Sequence, residues 1–195
     1  MQAELLRAYF LNIIALSPAE LDHIMSRYHE RKVSKGEYVL RQGEICSFEG
    51  YVLEGCFKIS TSDAKGIEKV LYFAAPDWWV MEIDSFTYQI PSKLDIQALS
   101  NSTILEISKF DKEKLYEEVP KTERLFRIMS QKAVAAWQRR LIRNHTMTAE
   151  KRYDHFITTY PDIAAMLTNK LIASYLGITQ EFVSVIRKRR TQKKT

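Results

Sequence analysis

The spacing of hydrophobic residues changes twice along this chain of 195 residues, near residues 33 and 108. Before residue 33, apolar residues recur every three or four positions, which is the period of an amphipathic helix. The first helix is predicted over residues 2–14, and its apolar face is formed by Leu5, Leu6, Tyr9 and Ile13. A second helix is predicted from Ser17 to about Glu30. Its start is marked by a serine cap, a proline at the first helical position and Glu20, which can complete a capping box.

Residues 33–107 follow a different pattern, in which short stretches rich in β-branched and aromatic residues alternate with turns. Five of these stretches are predicted to be strands: Tyr38–Leu40, Tyr51–Leu53, Phe57–Ser60, Val70–Phe73 and Ile104–Ile107. All but one of the chain's 6 glycines lie in this region. Many short strands separated by turns are typical of a β-sandwich or a barrel.

After residue 108 the helical period returns. A long helix is predicted over residues 121–144, with an apolar stripe made of Phe126, Met129, Ala133, Trp137 and Leu141. Such a stripe either forms the seam between two copies of the chain or packs on the chain's own β-domain. Thr148 can cap a further helix that continues to about Tyr160. The chain is therefore predicted to divide into residues 1–145 and residues 146–195.

The C-terminal end of the chain holds the most informative pattern. A short apolar helix is predicted to end at Gly177, because glycine readily adopts the positive φ that ends a helix. Thr179 can cap the helix that follows. Ala173 is small where two helices would cross closely, and Val183 and Ile186 supply the inner face of the second helix. This pattern is typical of a helix-turn-helix, which favours binding to double-stranded DNA. It also favours the dimer seam, because such proteins usually meet two half-sites as symmetric pairs.

The charge is concentrated at the same end of the chain. Residues 1–145 contain 20 basic and 20 acidic residues, whereas residues 146–195 contain 9 basic and 4 acidic ones. The net charge of +5 therefore lies in the C-terminal part, and four consecutive basic residues, Arg187–Arg190, end the second helix. Segregation of this kind is typical of a protein that binds a polyanion, although a solvated helix end would look the same.

Several classes of protein are not expected. No apolar run approaches the roughly 20 residues of a membrane helix, and the N-terminus lacks the features of a signal peptide, so a cytoplasmic location is expected. The two cysteines are too few for a structural metal site or an iron–sulfur cluster. Residues 33–107 contain no histidine, which argues against a barrel enzyme with a histidine-bound metal. We predict no catalytic residues, no metal and no cofactor.

A small β-barrel, a long helix and a C-terminal helix-turn-helix, in this order, resemble the Crp–Fnr family of bacterial transcription regulators. Lys35–Glu44 resembles the turn with two glycines and an acid at the start of the family's cyclic-nucleotide-binding barrel. Tyr51–Lys58 resembles its next signature, an apolar strand, a glycine turn and a return strand. The Tyr160–Asp162 loop and the short stretch after the second helix are similar to members found in Bacteroidetes-type bacteria.

The resemblance implies an α+β fold with three parts. They are an N-terminal double-stranded β-helix (a jelly-roll barrel of the cyclic-nucleotide-binding type), a long dimerisation helix and a C-terminal all-α, winged-type helix-turn-helix. It also implies a DNA-binding transcription regulator that binds palindromic sites as a homodimer. The expected partners are double-stranded DNA and a second copy of the chain, with RNA polymerase as a further candidate; no effector is assigned.

The helix from about Gln180 to Arg190 is expected to lie in the major groove. Gln180 can pair with adenine and Glu181 can accept a hydrogen bond from cytosine, whereas Val185 offers only an apolar contact. A site with little G·C content in its core is therefore expected. The other residues assigned to base or flanking contacts on this face are Ser184 and Lys188. Phosphate contacts are assigned to Arg187, Arg189, Arg190, Lys193 and Lys194, and backbone contacts at the start of the motif to Lys170 and Thr179.

The effector pocket is where the chain departs from the family. Members that bind cyclic nucleotides carry a Gly-Glu pair for the ribose and an Arg-Ser or Arg-Thr pair for the phosphate. Here Glu82 follows a methionine, and no arginine lies between Arg41 and Arg124. A buried phosphate needs a bidentate guanidinium, and Lys93 can supply only a point charge. The pocket candidates are Glu82, Ser92 and Lys93, and a response to cyclic AMP is not expected. The alternative is an atypical cyclic-nucleotide sensor or another small-molecule sensor.

Overall fold

The computed structural model describes residues 3–193 and contains both helices and strands. The helices are α1 (Ala3–Leu11), α2 (Pro18–Met25), α3 (Ile83–Tyr88), α4 (Lys109–Glu118), α5 (Lys121–Thr146), α6 (Ala149–Thr159), α7 (Pro161–Met166), α8 (Asn169–Leu176) and α9 (Gln180–Lys193). The strands are β1 (His29–Val33), β2 (Tyr38–Leu40), β3 (Phe48–Glu54), β4 (Phe57–Ser62), β5 (Glu68–Ala74), β6 (Trp79–Val80), β7 (Asp95–Ala98) and β8 (Ser102–Ser108).

The strands form two four-stranded sheets, with the orders β1-β8-β3-β6 and β2-β7-β4-β5. Pairing is antiparallel between β1 and β8, β3 and β8, β3 and β6, and β2 and β7. In the first sheet β8 lies between β1 and β3, so that Glu106 is opposite both His29 and Gly50. Two sheets of antiparallel strands followed by helices confirm the predicted jelly-roll type of α+β fold.

The two central strands of the first sheet, β3 and β8, are largely buried on both faces. Every residue of β3 except the last is buried. Because side chains alternate along a strand, Tyr51 and Val52 point to opposite faces. Tyr51 belongs to a core that the sheet shares with α1, α2 and the start of α5, and this core includes Leu6, Phe10, Ile24, Leu105, Leu125, Phe126 and Met129. Val52 and Ile104 are fully buried outside that cluster, on the barrel side of the sheet.

The chain divides into two compact units. The first contains residues 1–59 and 73–134, and the second contains residues 60–72 and 135–195. The second unit therefore consists of the tip of the β4–β5 hairpin, the second half of α5 and the helices α6 to α9. The predicted division at residues 145 and 146 stays a prediction.

The apolar stripe of α5 is buried at its start and exposed further along. Phe126 and Met129 are buried in the core of the first unit, so the first part of the stripe packs on the chain's own barrel. Further along, Trp137 is 48% exposed and Leu141 is 59% exposed. Ala133 is exposed as well. The dimer interpretation thus concerns only the second half of the helix.

Two sequence predictions were wrong in detail. The helix that starts after Ser17 ends at Met25 and not near Glu30, because His29–Val33 pairs with β8 as an edge strand. Residues 147–193 contain no strand, so this part of the chain has no β-wing and is all-α. The serine cap and capping box of α2 are present as predicted.

Between residues 3 and 193, no helix is long and apolar enough to cross a membrane, and no group of three or more His, Cys, Asp or Glu is placed to hold a metal ion. Cys46 and Cys56 are both fully buried. Burial raises the pKa of the Cys56 thiol to about 11, so this thiol is protonated and unreactive at neutral pH.

Candidate nucleic-acid interface

Helices α8 and α9 lie where the sequence predicts a helix-turn-helix, and local hydrogen bonds define their ends. Thr168 caps α8 by accepting a hydrogen bond from the Leu171 N–H. Gly177 ends this helix in the left-handed region with φ of 66°. The Ile178 N–H then bonds back to the Ala173 carbonyl at 3.0 Å, as in a Schellman motif. Thr179 caps α9, since its hydroxyl accepts from the Phe182 N–H at 3.2 Å.

The two helices meet through the small and branched residues that the sequence indicated. Ala173, Val183 and Ile186 are all buried, and Val183 is completely inaccessible. Tyr153 and Phe156 of α6 are also buried. The inner face of α9 is therefore fixed by apolar packing, and its outer face is free to present polar side chains.

The tip of the β4–β5 hairpin supports the motif, which the sequence did not indicate. The Ser174 hydroxyl of α8 accepts a hydrogen bond from the Val70 N–H at 2.9 Å and donates to the Glu68 carbonyl at 3.2 Å. A single serine in a helical pattern carries no signal for a partner so far away in the sequence. Ser174 therefore joins α8 to the hairpin backbone by two hydrogen bonds.

The side chains assigned to base reading lie together on one exposed face of α9. The exposed residues are Gln180, Glu181, Ser184, Val185 and Lys188. The Ser184 hydroxyl donates to the Gln180 carbonyl at 3.2 Å and accepts from the Asn169 amide at 3.4 Å. Asn169, the first residue of α8, was not indicated by the sequence, and its amide lies beside this exposed face of α9. Lys170, next to it, is exposed.

The arginines at the end of α9 have partners within the chain. The Arg187 Nε donates to the Tyr153 hydroxyl at 3.0 Å. Arg189 pairs with Glu150 at 2.6 Å and Arg190 pairs with Asp154 at 3.1 Å, so both connect α9 to α6. Exposed pairs of this kind contribute less than about 1 kcal/mol each, and a DNA phosphate could replace either carboxylate. The side chain of Lys193, and Lys194 as a whole, lie outside the described residues.

The residues assigned to an effector pocket differ in exposure and in hydrogen bonding. The carboxylate of Glu82 is buried and accepts from the N–H groups of Asp84 and Ser85, at 3.1 and 2.9 Å, so it caps α3. The buried Ser92 hydroxyl bonds to the backbone of Leu94. Lys93, in contrast, is exposed.

Comparison with known proteins agrees with this architecture. Residues 30–119 match the family model of the cyclic nucleotide-binding domain. No match was found among curated protein sequences. The c-di-GMP responsive global regulator CLP from Xanthomonas campestris is similar in structure, with a TM-score of 0.71 and 14% identity over 91% of this chain and 93% of CLP.

Two further solved structures are similar over most of the chain. FixK2 from Bradyrhizobium japonicum has a TM-score of 0.74 and 16% identity, with 85% of each chain covered. The catabolite activator protein of Thermus thermophilus has a TM-score of 0.58 and 16% identity over 94% of this chain and 87% of its own. Residues 30–119 are thus a domain of the cyclic nucleotide-binding type, and the chain has the α+β fold of Crp–Fnr-type regulators.

Proposed function

We propose that the chain is a transcription regulator that binds palindromic DNA sites as a homodimer and does not respond to cyclic AMP. The observation that carries the proposal is the geometry of α9. Its apolar face is buried against α8, and its opposite face exposes Gln180, Glu181, Ser184 and Lys188. A short helix held in this way presents hydrogen-bonding groups at the spacing that a major groove accepts.

The second half of α5 supports the dimer. Val134, Trp137 and Leu141 are exposed and follow the spacing of three and four residues that a coiled-coil seam requires. Large apolar side chains repeated along an exposed helix usually mark an interface. A second copy of the chain is the expected occupant, because two-fold pairing would also provide two reading helices for two half-sites.

The barrel supports the absence of a cyclic-AMP response. Glu82 already uses its carboxylate oxygens to accept two backbone hydrogen bonds, and the Ser92 hydroxyl is bonded within its own turn. No arginine lies between Arg41 and Arg124 to hold a buried phosphate. The match of residues 30–119 to a nucleotide-binding domain favours the alternative, a small-molecule sensor with an atypical pocket. Micromolar binding of cyclic AMP or cyclic GMP in a calorimeter would decide for that alternative.

The finer assignments belong to the same proposal. They are a cytoplasmic location, RNA polymerase as a further partner, and similarity to members from Bacteroidetes-type bacteria. The division into a sensor domain with its dimerisation helix and a DNA-binding domain belongs to it as well.

The experiment is selection of bound sequences from random duplex DNA at a fixed, stated salt concentration. The wild type should select a palindrome and bind it with an affinity that falls as salt rises. Gln180→Ala and Glu181→Ala should each cost about 1–3 kcal/mol and relax the preference at one base pair per half-site.

Gln192→Ala is the matched control, because Gln192 is exposed near the other end of α9. It should leave the selected sequence unchanged. Unaltered selectivity in both reading-face variants would place the reading face elsewhere, and the absence of any salt-sensitive affinity for duplex DNA would refute the proposal.

A further inference from the structure

A basic hollow lies in the second unit, where the end of α5 meets α6 and α8. Its polar lining comes from Arg140, Arg143, Asn144, Arg152, His155 and Tyr175. Three guanidinium groups and an imidazole thus surround one small space, and no carboxylate is among the residues that line it. The hollow is separate from the reading face of α9, none of whose residues line it.

The arginines of the hollow differ from Arg189 and Arg190 of α9, each of which pairs with a carboxylate. Among the ion pairs of the described residues, none involves Arg140, Arg143 or Arg152. Arg140 instead stacks over the Tyr175 ring, with its guanidinium carbon 4.4 Å from the ring centroid. Arg152 reaches the Asn144 carbonyl at 3.5 Å, and its Nε is buried without a hydrogen-bond partner. A buried donor on a charged group is costly unless something accepts its hydrogen bond.

The charges in the hollow also act against one another. Burial lowers the pKa of Arg140, and the neighbouring Arg143 lowers it further. Burial and then Arg143 lower the pKa of His155 as well. The Nδ1 atom of His155 also lies 3.3 Å from the hydroxyl oxygen of Thr159, on the same helix. An anion placed among these groups would remove the repulsion and accept the unused hydrogen bonds.

We propose that this hollow binds an oxyanion of the phosphate type. The guanidinium groups of Arg143 and Arg152 offer planar pairs of N–H donors, which match the oxygens of a phosphate, and Arg140 adds a third positive charge. The phosphate could belong to a small phosphorylated molecule or to a DNA strand. The inference does not depend on the proposed function, because the hollow is defined by residues outside the reading face.

The test compares two double variants of the full chain that remove the same charge. The hollow variant, Arg143→Gln with Arg152→Gln, removes two guanidinium groups of the hollow. Arg140 is kept because it packs on Tyr175. Arg139→Gln with Lys151→Gln is the control, since both side chains are exposed on the same two helices. Titration calorimetry with pyrophosphate should show binding to the wild type, at least tenfold weaker binding to the hollow variant and less than a twofold change in the control.

The pKa of His155 provides a second readout. In NMR titrations, pyrophosphate should raise the pKa of His155 in the wild type and the control but not in the hollow variant, because a bound anion stabilises the imidazolium. Thermal unfolding of each variant shows whether it is folded. A third double variant, Arg143→Lys with Arg152→Lys, should bind pyrophosphate with intermediate affinity. Lysine keeps the positive charge but lacks the planar pair of N–H donors.

Binding to duplex DNA separates the two sources of phosphate. If pyrophosphate does not bind but the hollow variant loses at least tenfold in duplex affinity relative to the control, the phosphate is that of DNA. If the hollow variant binds both pyrophosphate and duplex DNA as tightly as the control does, the inference is overturned. Binding of pyrophosphate in a protein that shows no duplex affinity would support the hollow and refute only the proposed regulator function.

Discussion

At the scale of single residues, the turn between β3 and β4 requires glycine for two separate reasons. Gly55 has φ of 90°, a conformation that side chains strongly disfavour. A Cβ atom at this position would also lie 2.0 Å from the Ser102 Oγ and 2.7 Å from the Ser102 Cα. Gly43 has nearly the same φ, 89°, but nothing within 4 Å of the added atom. A side chain at Gly43 would therefore meet only an unfavourable backbone conformation, whereas a side chain at Gly55 would also overlap with Ser102.

We expect Gly43→Ala to cost about 1–2 kcal/mol of unfolding free energy, because only the backbone conformation is unfavourable. Gly55→Ala should cost about 1–3 kcal/mol more, since Ser102, at the start of the central strand β8, must move to make room. Denaturant unfolding of both variants measures the difference. Equal losses would mean that the approach of Ser102 is not a constraint.

The same scale shows what the sequence could and could not reveal about individual side chains. The glycine turn at Gly55 was predicted from the local pattern, but the approach of Ser102 depends on strand pairing. The arginines of α9 were predicted to meet phosphates because their charge alone is visible in the sequence. The structure adds that Arg189 and Arg190 have partners on α6, which requires knowledge of how two helices pack.

At the scale of elements, hydroxyl caps define where several helices begin. Ser17, Ser108, Thr148, Thr168 and Thr179 each accept a hydrogen bond from a backbone N–H in the first turn of the following helix. In α2 the cap is extended, because Glu20 accepts from the Ser17 N–H at 2.7 Å and pairs with Lys121 at 2.9 Å. The start of α2 is thereby tied to the start of α5.

This arrangement makes part of the stability of α2 dependent on pH. The Ser17 N–H, and then Lys121, lower the pKa of Glu20 from 4.5 to about 2. The carboxylate therefore stabilises the fold above pH 4.5, and this contribution is lost as the pH falls towards 2. Glu20→Gln should flatten the fall in stability over that interval, as measured by denaturant unfolding at several pH values. Glu4→Gln, a charge removal on α1, is the control, and an acid profile unchanged by Glu20→Gln would contradict the role given to the carboxylate.

Elements with strong local signals were predicted, and those defined by pairing were not. The caps and the apolar period located α2, α5, α6, α8 and α9. The strand His29–Val33 was not predicted, and its first two residues were assigned to a helix, because its partner in β8 is distant in the sequence. The short strands β6 and β7 and the helix α3 were not predicted. Strands of 2 and 4 residues are too short to show an alternating pattern.

At the scale of the whole molecule, the exposed half of α5 determines the expected assembly. Phe126 and Met129 complete the core of the first unit, whereas Val134, Leu141 and Ile142 are each more than half exposed. The predicted stripe is therefore buried in its first part and exposed in its second, and only the packing of the barrel could show where the buried part ends.

Leu141→Glu should weaken dimerisation at least about a hundredfold. A buried leucine contributes about 1.5–3 kcal/mol, and a symmetric interface loses it twice. Ala136→Glu adds the same charge at an exposed position on roughly the opposite side of α5, and it should leave the dimer intact. Sedimentation across a range of concentrations measures both. A wild type that stays monomeric at high concentration, or an equal effect of the two variants, would rule out this seam.

The central place of β8 in the first sheet has a consequence for synthesis on the ribosome. Residues 48–54 emerge early as a strand destined for burial on both faces, yet its neighbour, Ser102–Ser108, is translated about fifty residues later. During that interval β6 can pair with one edge of β3, but the edge that β8 will occupy has no partner. A dependence on chaperones during translation is therefore to be expected for the barrel, whereas the capped helices near the C-terminus can form as soon as they are made.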